Sequence, residues 1–260
     1  MRAARLADHG RQGLTLMELV IVLLVLIALA GIVLPMLPNM ITRSHTAAAA
    51  TNITEISKAI QTFEGLQGTY PDGWDALTDG TTIADYVPGG TGADLTTGTL
   101  TGPQVANLSR AGISTLYSMI ATKAALDTAG QSPTFNPYST PFPGQTAVTL
   151  TSGTVALLGP TGILKLNLST TGTYLVVGLG KPNKMVGRTI NDVPYHFLDD
   201  PGSTPNDVYT RYVAIFKVSD TAAPTMSRAV LVTVAGLHDD GVAGADAHIQ
   251  EYFNAVKSTN

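Results

Sequence analysis

The chain has 260 residues, 44% of them hydrophobic and only 13% charged, which is enough apolar material for one sizeable domain or two small ones. Fifteen basic against nineteen acidic residues leave a net charge of −4, which argues against the basic face that non-specific nucleic-acid binding needs. Cysteine is absent, so disulfides and thiolate-bound metals are excluded, while 26 glycines and 15 prolines fit a loop-rich, β-containing domain better than a helical bundle.

Residues 1–13, MRAARLADHGRQG, carry Arg2, Arg5 and Arg11 against Asp8 and form a net positive leader. The character then changes abruptly, and from 14 to 40 the one ionisable residue is Glu18. The stretch LTLMELVIVLLVLIALAGIVLPML is long enough, at roughly 1.5 Å per residue, to cross a bilayer core of about 30 Å. Arginines ahead of such a span predict the leader inside and the C-terminus outside. A secretory signal peptide is one reading, but the run is longer than a usual signal core and no clean A-x-A site follows it; a plain anchor is another, and neither explains Glu18. A carboxylate at the centre of a membrane helix costs about 3 kcal/mol on insertion scales, less near an interface, and such a residue usually has a partner.

The junction Gly13-Leu14-Thr15-Leu16-Met17-Glu18 resembles the leader junction of type IV pilins and pseudopilins. The resemblance implies that a prepilin peptidase cuts after Gly13, that the hydrophobic helix is kept, and that the new α-ammonium on Leu14 is N-methylated. The family most often begins with Phe, where this chain has Leu14. Glu18 becomes the fifth mature residue, and the resemblance places its carboxylate opposite the N-terminal ammonium of a neighbouring subunit. An unpaired charge is costly in a low-dielectric core, so Glu18 is expected to check register during filament assembly. Pro35 falls at mature position 22 (35 − 13), where the family usually has a helix-kinking proline.

Beyond the span, Ile53, Ile56, Ile60 and Phe63 recur at three- and four-residue steps with Ala48 and Ala49 behind them. This predicts one helix over 14–63 ending near Gly65 and Gly68, or two helices broken at Pro35 or Pro38. Its transmembrane half (14–38) is apolar all round, and its amphipathic half (39–67) needs a sheet to cover its stripe. The turn-forming segment Gly68-Thr69-Tyr70-Pro71-Asp72-Gly73-Trp74-Asp75-Ala76-Leu77 is similar to the one that follows the long helix in major pseudopilins. Residues 79–103 read as loop and 104–128 as a helix pointed by Leu108, Leu116, Met119, Ile120 and Leu126. Strands are expected at 146–158, 162–168, 173–179, 208–218 and 229–235, and a short helix at AHIQEYFNAV. The expected fold class is therefore α+β: a long N-terminal helix packed on an antiparallel sheet. Residues 68–260 form the exterior head, with an elaborated region at about 79–170.

The five histidines, His9, His45, His196, His238 and His248, show no HExxH arrangement. His238 and His248 flank Asp239, Asp240 and Asp246, and the spacing favours exposed polar loop residues over a metal site. No G-x-S-x-G elbow is present, and Gly178-Leu179-Gly180-Lys181-Pro182 lacks Walker A spacing, so no catalysis is expected. Calcium is the cofactor the resemblance implies, since major pseudopilins hold it in a C-terminal loop. The hard oxygen donors here are Asp199, Asp200, Asn206 and Asp207, with Asp239 and Asp240 as a second cluster, none at EF-hand spacing.

The resemblance implies a structural subunit of a pseudopilus in type II secretion, single-pass in the bacterial inner membrane with its head in the periplasm. Its implied partners are the prepilin peptidase, copies of itself, other pseudopilins and an inner-membrane assembly platform. A type IV pilus or competence pilin shares every N-terminal feature. A membrane-anchored exterior enzyme or binding module is the alternative from another class, and converging acids or histidines would favour it.

Overall fold

The computed structural model describes residues 15–34, 37–90, 93–130, 147–150, 153–196, 207–219, 227–238 and 241–257. Two helices open it, α1 (Leu16–Val33) and α2 (Leu37–Gln67). Gly13, Leu14 and the expected kink at Pro35 lie outside the described residues. Pro38 is the second residue of α2, a position where a missing N–H forfeits no helical bond. The second helix runs four residues past the expected Phe63, and Gly68, at φ 75°, provides the left-handed stop.

All side chains of α1 are exposed, and the helix is long and apolar enough to cross a membrane. It is capped by a reciprocal pair. Thr15 Oγ1 accepts from Glu18 N at 3.3 Å, and Glu18 Oε2 accepts from Thr15 N at 2.9 Å. The next helix behaves differently. Its Ala49, Ile53, Ile56, Ile60 and Phe63 are buried as one stripe, while Ala48 faces out.

The remaining elements are β1 (Trp74–Asp75), β2 (Leu95–Thr99), α3 (Gly102–Arg110), β3 (Thr115–Tyr117), α4 (Lys123–Thr128), β4 (Ala147–Thr149), β5 (Thr154–Leu158), α5 (Pro160–Lys165), β6 (Thr173–Gly178), β7 (Val213–Val218), β8 (Val230–His238), β9 (Gly241–Ala243) and α6 (Ala245–Lys257). Among the described residues the strands form one sheet in the order β4-β3-β1-β6-β7-β8-β9. Strand β5 shares the β1 edge of β6 and carries β2 outside it. Every pairing is antiparallel except β1 with β3. The chain is thus α+β, with an N-terminal apolar helix and a large, mainly antiparallel sheet.

The central strands explain the core. Along β6, Leu175 and Val177 join one apolar cluster while Tyr174 and Val176 join the other. On β7, Phe216 and Val218 alternate with Val213 and Ile215 in the same way. Side chains on a strand point to opposite faces in turn, so both faces of this sheet are covered. The α2 stripe, with Tyr70 and Trp74, covers the first face. Leu77, Tyr86, Leu95, Leu126 and Leu158 cover the second.

Three expectations are corrected. Residues 79–103 include β2 and the start of α3, and Leu95 and Leu100 are buried. The helix expected over 104–128 is a helix, a strand and a second helix. Gly112, at φ 93°, turns the chain there, and a Cβ on it would sit 2.6 Å from Thr69 Cβ. The strand expected at 162–168 begins as helix α5, because Pro160 occupies its first turn and Asn167 takes φ 50° just beyond its end.

Candidate functional site

Three imidazoles from distant parts of the sequence meet beside the sheet. His196 follows Tyr195, which bridges to Arg211, and its backbone N–H donates to Thr210 O at 2.6 Å. His238 is the last residue of β8 and pairs with Gly241 across the turn to β9. His248 sits in the second turn of α6. One ring nitrogen from each lies within 4.8 Å of one from each of the others. The ring centroids are 4.6 Å apart for His196–His238, 5.1 Å for His196–His248 and 4.9 Å for His238–His248.

His196 and His248 are each 1% exposed, and His238 is half-buried. The expectation of exposed loop histidines is therefore corrected. Burial holds His196 down at about 2, with His238, His248 and His45 adding to the effect, and holds His248 down at about 4, with His238 adding to it and Asp246 opposing. Both rings are neutral near pH 7 and keep a lone pair each. Both nitrogens of His196 and His248, and Nε2 of His238, have no hydrogen-bond partner among the described residues. Buried polar atoms are normally satisfied, so five such nitrogens in one place call for an account.

Two neighbours shape the centre. A Cβ on Gly236 would lie 2.8 Å from His196 Nε2 and 3.2 Å from His248 Nε2, so any side chain there would fill the space the rings face. Glu251 Oε2 lies 3.7 Å from His248 Nδ1, one turn along α6. The edge of the His196 ring rests on Tyr212 at 5.5 Å, and Tyr212 Oη accepts from Asn52 of α2 at 3.2 Å. Alongside, α2 and α6 form a groove of about 510 Å³ whose lining includes Ala47, Ala50, Ile249, Tyr252 and Phe253.

Of the oxygen donors expected to hold calcium, Asp199, Asp200, Asn206, Asp239 and Asp240 lie outside the described residues. Asp207 is described, and Lys123 Nζ stands 3.9 Å from its carboxylate. The sheet does not bring Asp207 to the histidines as a ligand. Glu18 is also placed away from them, in the first turn of α1. Sequence reasoning weighed His238 and His248 but missed His196, forty-two residues upstream of His238 (238 − 196). The legible signal was α6, where a histidine occupies the inward position and Ile249 and Phe253 face out, 49% and 58% exposed.

No protein-family model, curated protein or solved structure matches the chain.

Proposed function

We propose that the chain is a pilin-like filament subunit, a pseudopilin of a protein-secretion apparatus, trimmed between Gly13 and Leu14 and held in the bacterial inner membrane by α1. The supporting observation is α1 itself. It is an apolar span with no side chain buried in its own chain, and its one ionisable group, Glu18, is in the first turn. In a single subunit that carboxylate closes the capping box through Oε2. In the filament it faces the Leu14 ammonium of a neighbour, and a wrongly seated subunit leaves a bare charge in hydrocarbon. The amphipathic α2 passes the span on to the sheet, which forms the exterior head. Partners are the prepilin peptidase, copies of this chain, related subunits and a membrane assembly platform.

The test is N-terminal sequencing and intact mass of protein made alongside a prepilin peptidase. The expected start is Leu14, with or without one methyl group. Retention of residues 1–13, or loss of the whole apolar segment, overturns the reading. Two variants then separate the roles of Glu18. Glu18→Gln keeps an acceptor for the cap and removes the charge, whereas Glu18→Ala removes both. Both variants are expected to be cleaved normally and to enter filaments poorly. Wild-type assembly by Glu18→Gln rules out charge pairing as the register device.

A second reading, a membrane-tethered exterior binding module, draws on the three converging imidazoles. Filament formation that survives disruption of the histidine centre favours the first reading. A chain that is never cleaved at Gly13, yet loses an exterior activity with the histidines, favours the second.

A further inference from the structure

We infer that His196, His238 and His248 form a binding site for one zinc-class divalent ion, ligated through their Nε2 atoms beside Gly236.

The ordinary alternative is a set of core histidines satisfied by protein donors and acceptors. The geometry speaks against it, because the Nε2 atoms of all three have no hydrogen-bond partner among the described residues. Leaving a buried polar group unpaired costs about 1–3 kcal/mol, and three in contact compound that cost. An ion removes the cost at one stroke by taking all three lone pairs. A zinc–imidazole bond of about 2.0–2.1 Å puts ligand nitrogens of a tetrahedral site roughly 3.4 Å apart. The present spread of up to 4.8 Å would have to close to that, and no hydrogen bond among the described residues holds the Nε2 atoms back.

The donor set selects the class of ion. Among the described residues the cluster is three imidazoles with no carboxylate, a set that suits zinc and its transition-metal neighbours, whereas calcium and magnesium require oxygen ligands. The nitrogens are assigned by their surroundings. Nε2 of both His196 and His248 faces the space above Gly236. The other nitrogen of His248 lies 3.7 Å from Glu251 Oε2, beyond hydrogen-bond reach but close enough for that carboxylate to orient the ring once the ion draws it in. Three protein ligands leave a fourth position for water or for a donor from another molecule.

The ion would join three segments that are distant in sequence: the stretch at 195–196, the end of β8, and α6. Helix α6 also lies along α2, where Arg43 donates to Tyr252 Oη at 3.4 Å and its guanidinium stands 5.2 Å from that ring's centroid. The site thus fixes the C-terminal helix to the end of β8 and to the stretch at 195–196, while these contacts hold it to α2. It exists whether or not the chain polymerises.

The experiment uses the full chain in detergent micelles, without a polyhistidine tag. The protein is stripped with a chelator, loaded with Zn²⁺, and desalted in excess Ca²⁺ and Mg²⁺. Retention of one zinc per chain is expected, and Co²⁺ in its place should give the intense visible bands of a four-coordinate ion. His238→Ala, at the solvent end of the hairpin, and His248→Ala should each retain at least tenfold less zinc. Glu251→Gln should weaken affinity by about 10–100-fold while zinc still binds. Far-UV circular dichroism of each metal-free variant reports whether it is folded. Failure of folded wild type to retain stoichiometric zinc overturns the inference. So does retention unchanged in folded His238→Ala or, should that variant unfold, in His238→Gln.

Discussion

Helices α1 and α2 are separated by three residues and both carry leucine and isoleucine, yet they place them in opposite ways. Ile27 on α1 is 64% exposed, while Ile60 on α2 is fully buried between the helix and the sheet. Helix α1 is apolar on every side, so no single face is reserved for its own chain. Polar residues Asn52, Glu55, Lys58 and Gln61 interrupt α2 and leave one stripe, which the sheet covers. The two helices differ both in apolar content and in how it is distributed around the axis. The even distribution on α1 goes with side chains that are all exposed, and the single stripe on α2 goes with burial against the sheet of the same chain.

The largest effect expected from this contrast comes from truncating the two isoleucines. Ile60→Ala should destabilise the chain by about 2–5 kcal/mol in denaturant unfolding followed in micelles. Ile27→Ala should shift the same transition by no more than about 0.5 kcal/mol, since it vacates no packed space. Comparable losses would erase the distinction between the helices.

A smaller effect is expected at the turn that leads from α2 into the sheet. Asp72 is buried, and its carboxylate accepts from Ser114 N at 3.0 Å, Thr115 N at 2.8 Å and Ser114 Oγ at 2.9 Å, with Lys184 Nζ at 3.3 Å. Burial pushes its pKa up, but these donors outweigh burial and hold it below the ordinary carboxylate value. Asp72→Ala leaves the donors unpaired and should cost about 1–3 kcal/mol. The sign of the pH dependence follows. The folded state holds the ionised form more tightly than the unfolded state, so the contribution is full above the ordinary carboxylate range. It is lost as pH falls through the lowered folded value. The stability gap between wild type and Asp72→Asn should therefore narrow in acid, and a gap that widens would refute the assignment.

Weaker still is the cap of α1. Thr15→Ala removes the Oγ1 acceptor for Glu18 N and should cost that helix about 1 kcal/mol, visible as faster amide exchange in its first turn and not as a lower global midpoint. Smallest is the exposed Lys58–Glu55 pair on the outer face of α2, at 2.8 Å, where Lys58→Ala should change stability by less than about 0.5 kcal/mol.

Much of this was legible in the sequence because it rests on periodicity. The spacing of Ile53, Ile56, Ile60 and Phe63 marks the buried stripe of α2, and the apolar runs at 173–179 and 229–235 overlap β6 and β8. The turn at Tyr70-Pro71-Asp72-Gly73 is also readable, with Gly73 at φ 83° and Trp74 Nε1 donating to Pro71 O at 2.6 Å. What escaped was set by contacts between distant residues. Leu108, Leu116 and Leu126 suit a helical pattern, but Asp72 takes Ser114 and Thr115 from it and β1 draws Leu116 into the sheet. The histidine centre was hidden for the same reason. A hairpin end, a helix and a separate bridge each contribute one ring, and no window of sequence contains all three. The capping box was present as Thr15 and Glu18 three residues apart, overshadowed by the more conspicuous charge.

Among the described residues α1 contributes no side chain to either apolar cluster, so the core does not depend on it. A polypeptide started at Leu37 should fold to the same sheet and melt at nearly the same temperature in plain buffer. The greasy first helix, in that case, is a detachable handle, and the body is built independently of it.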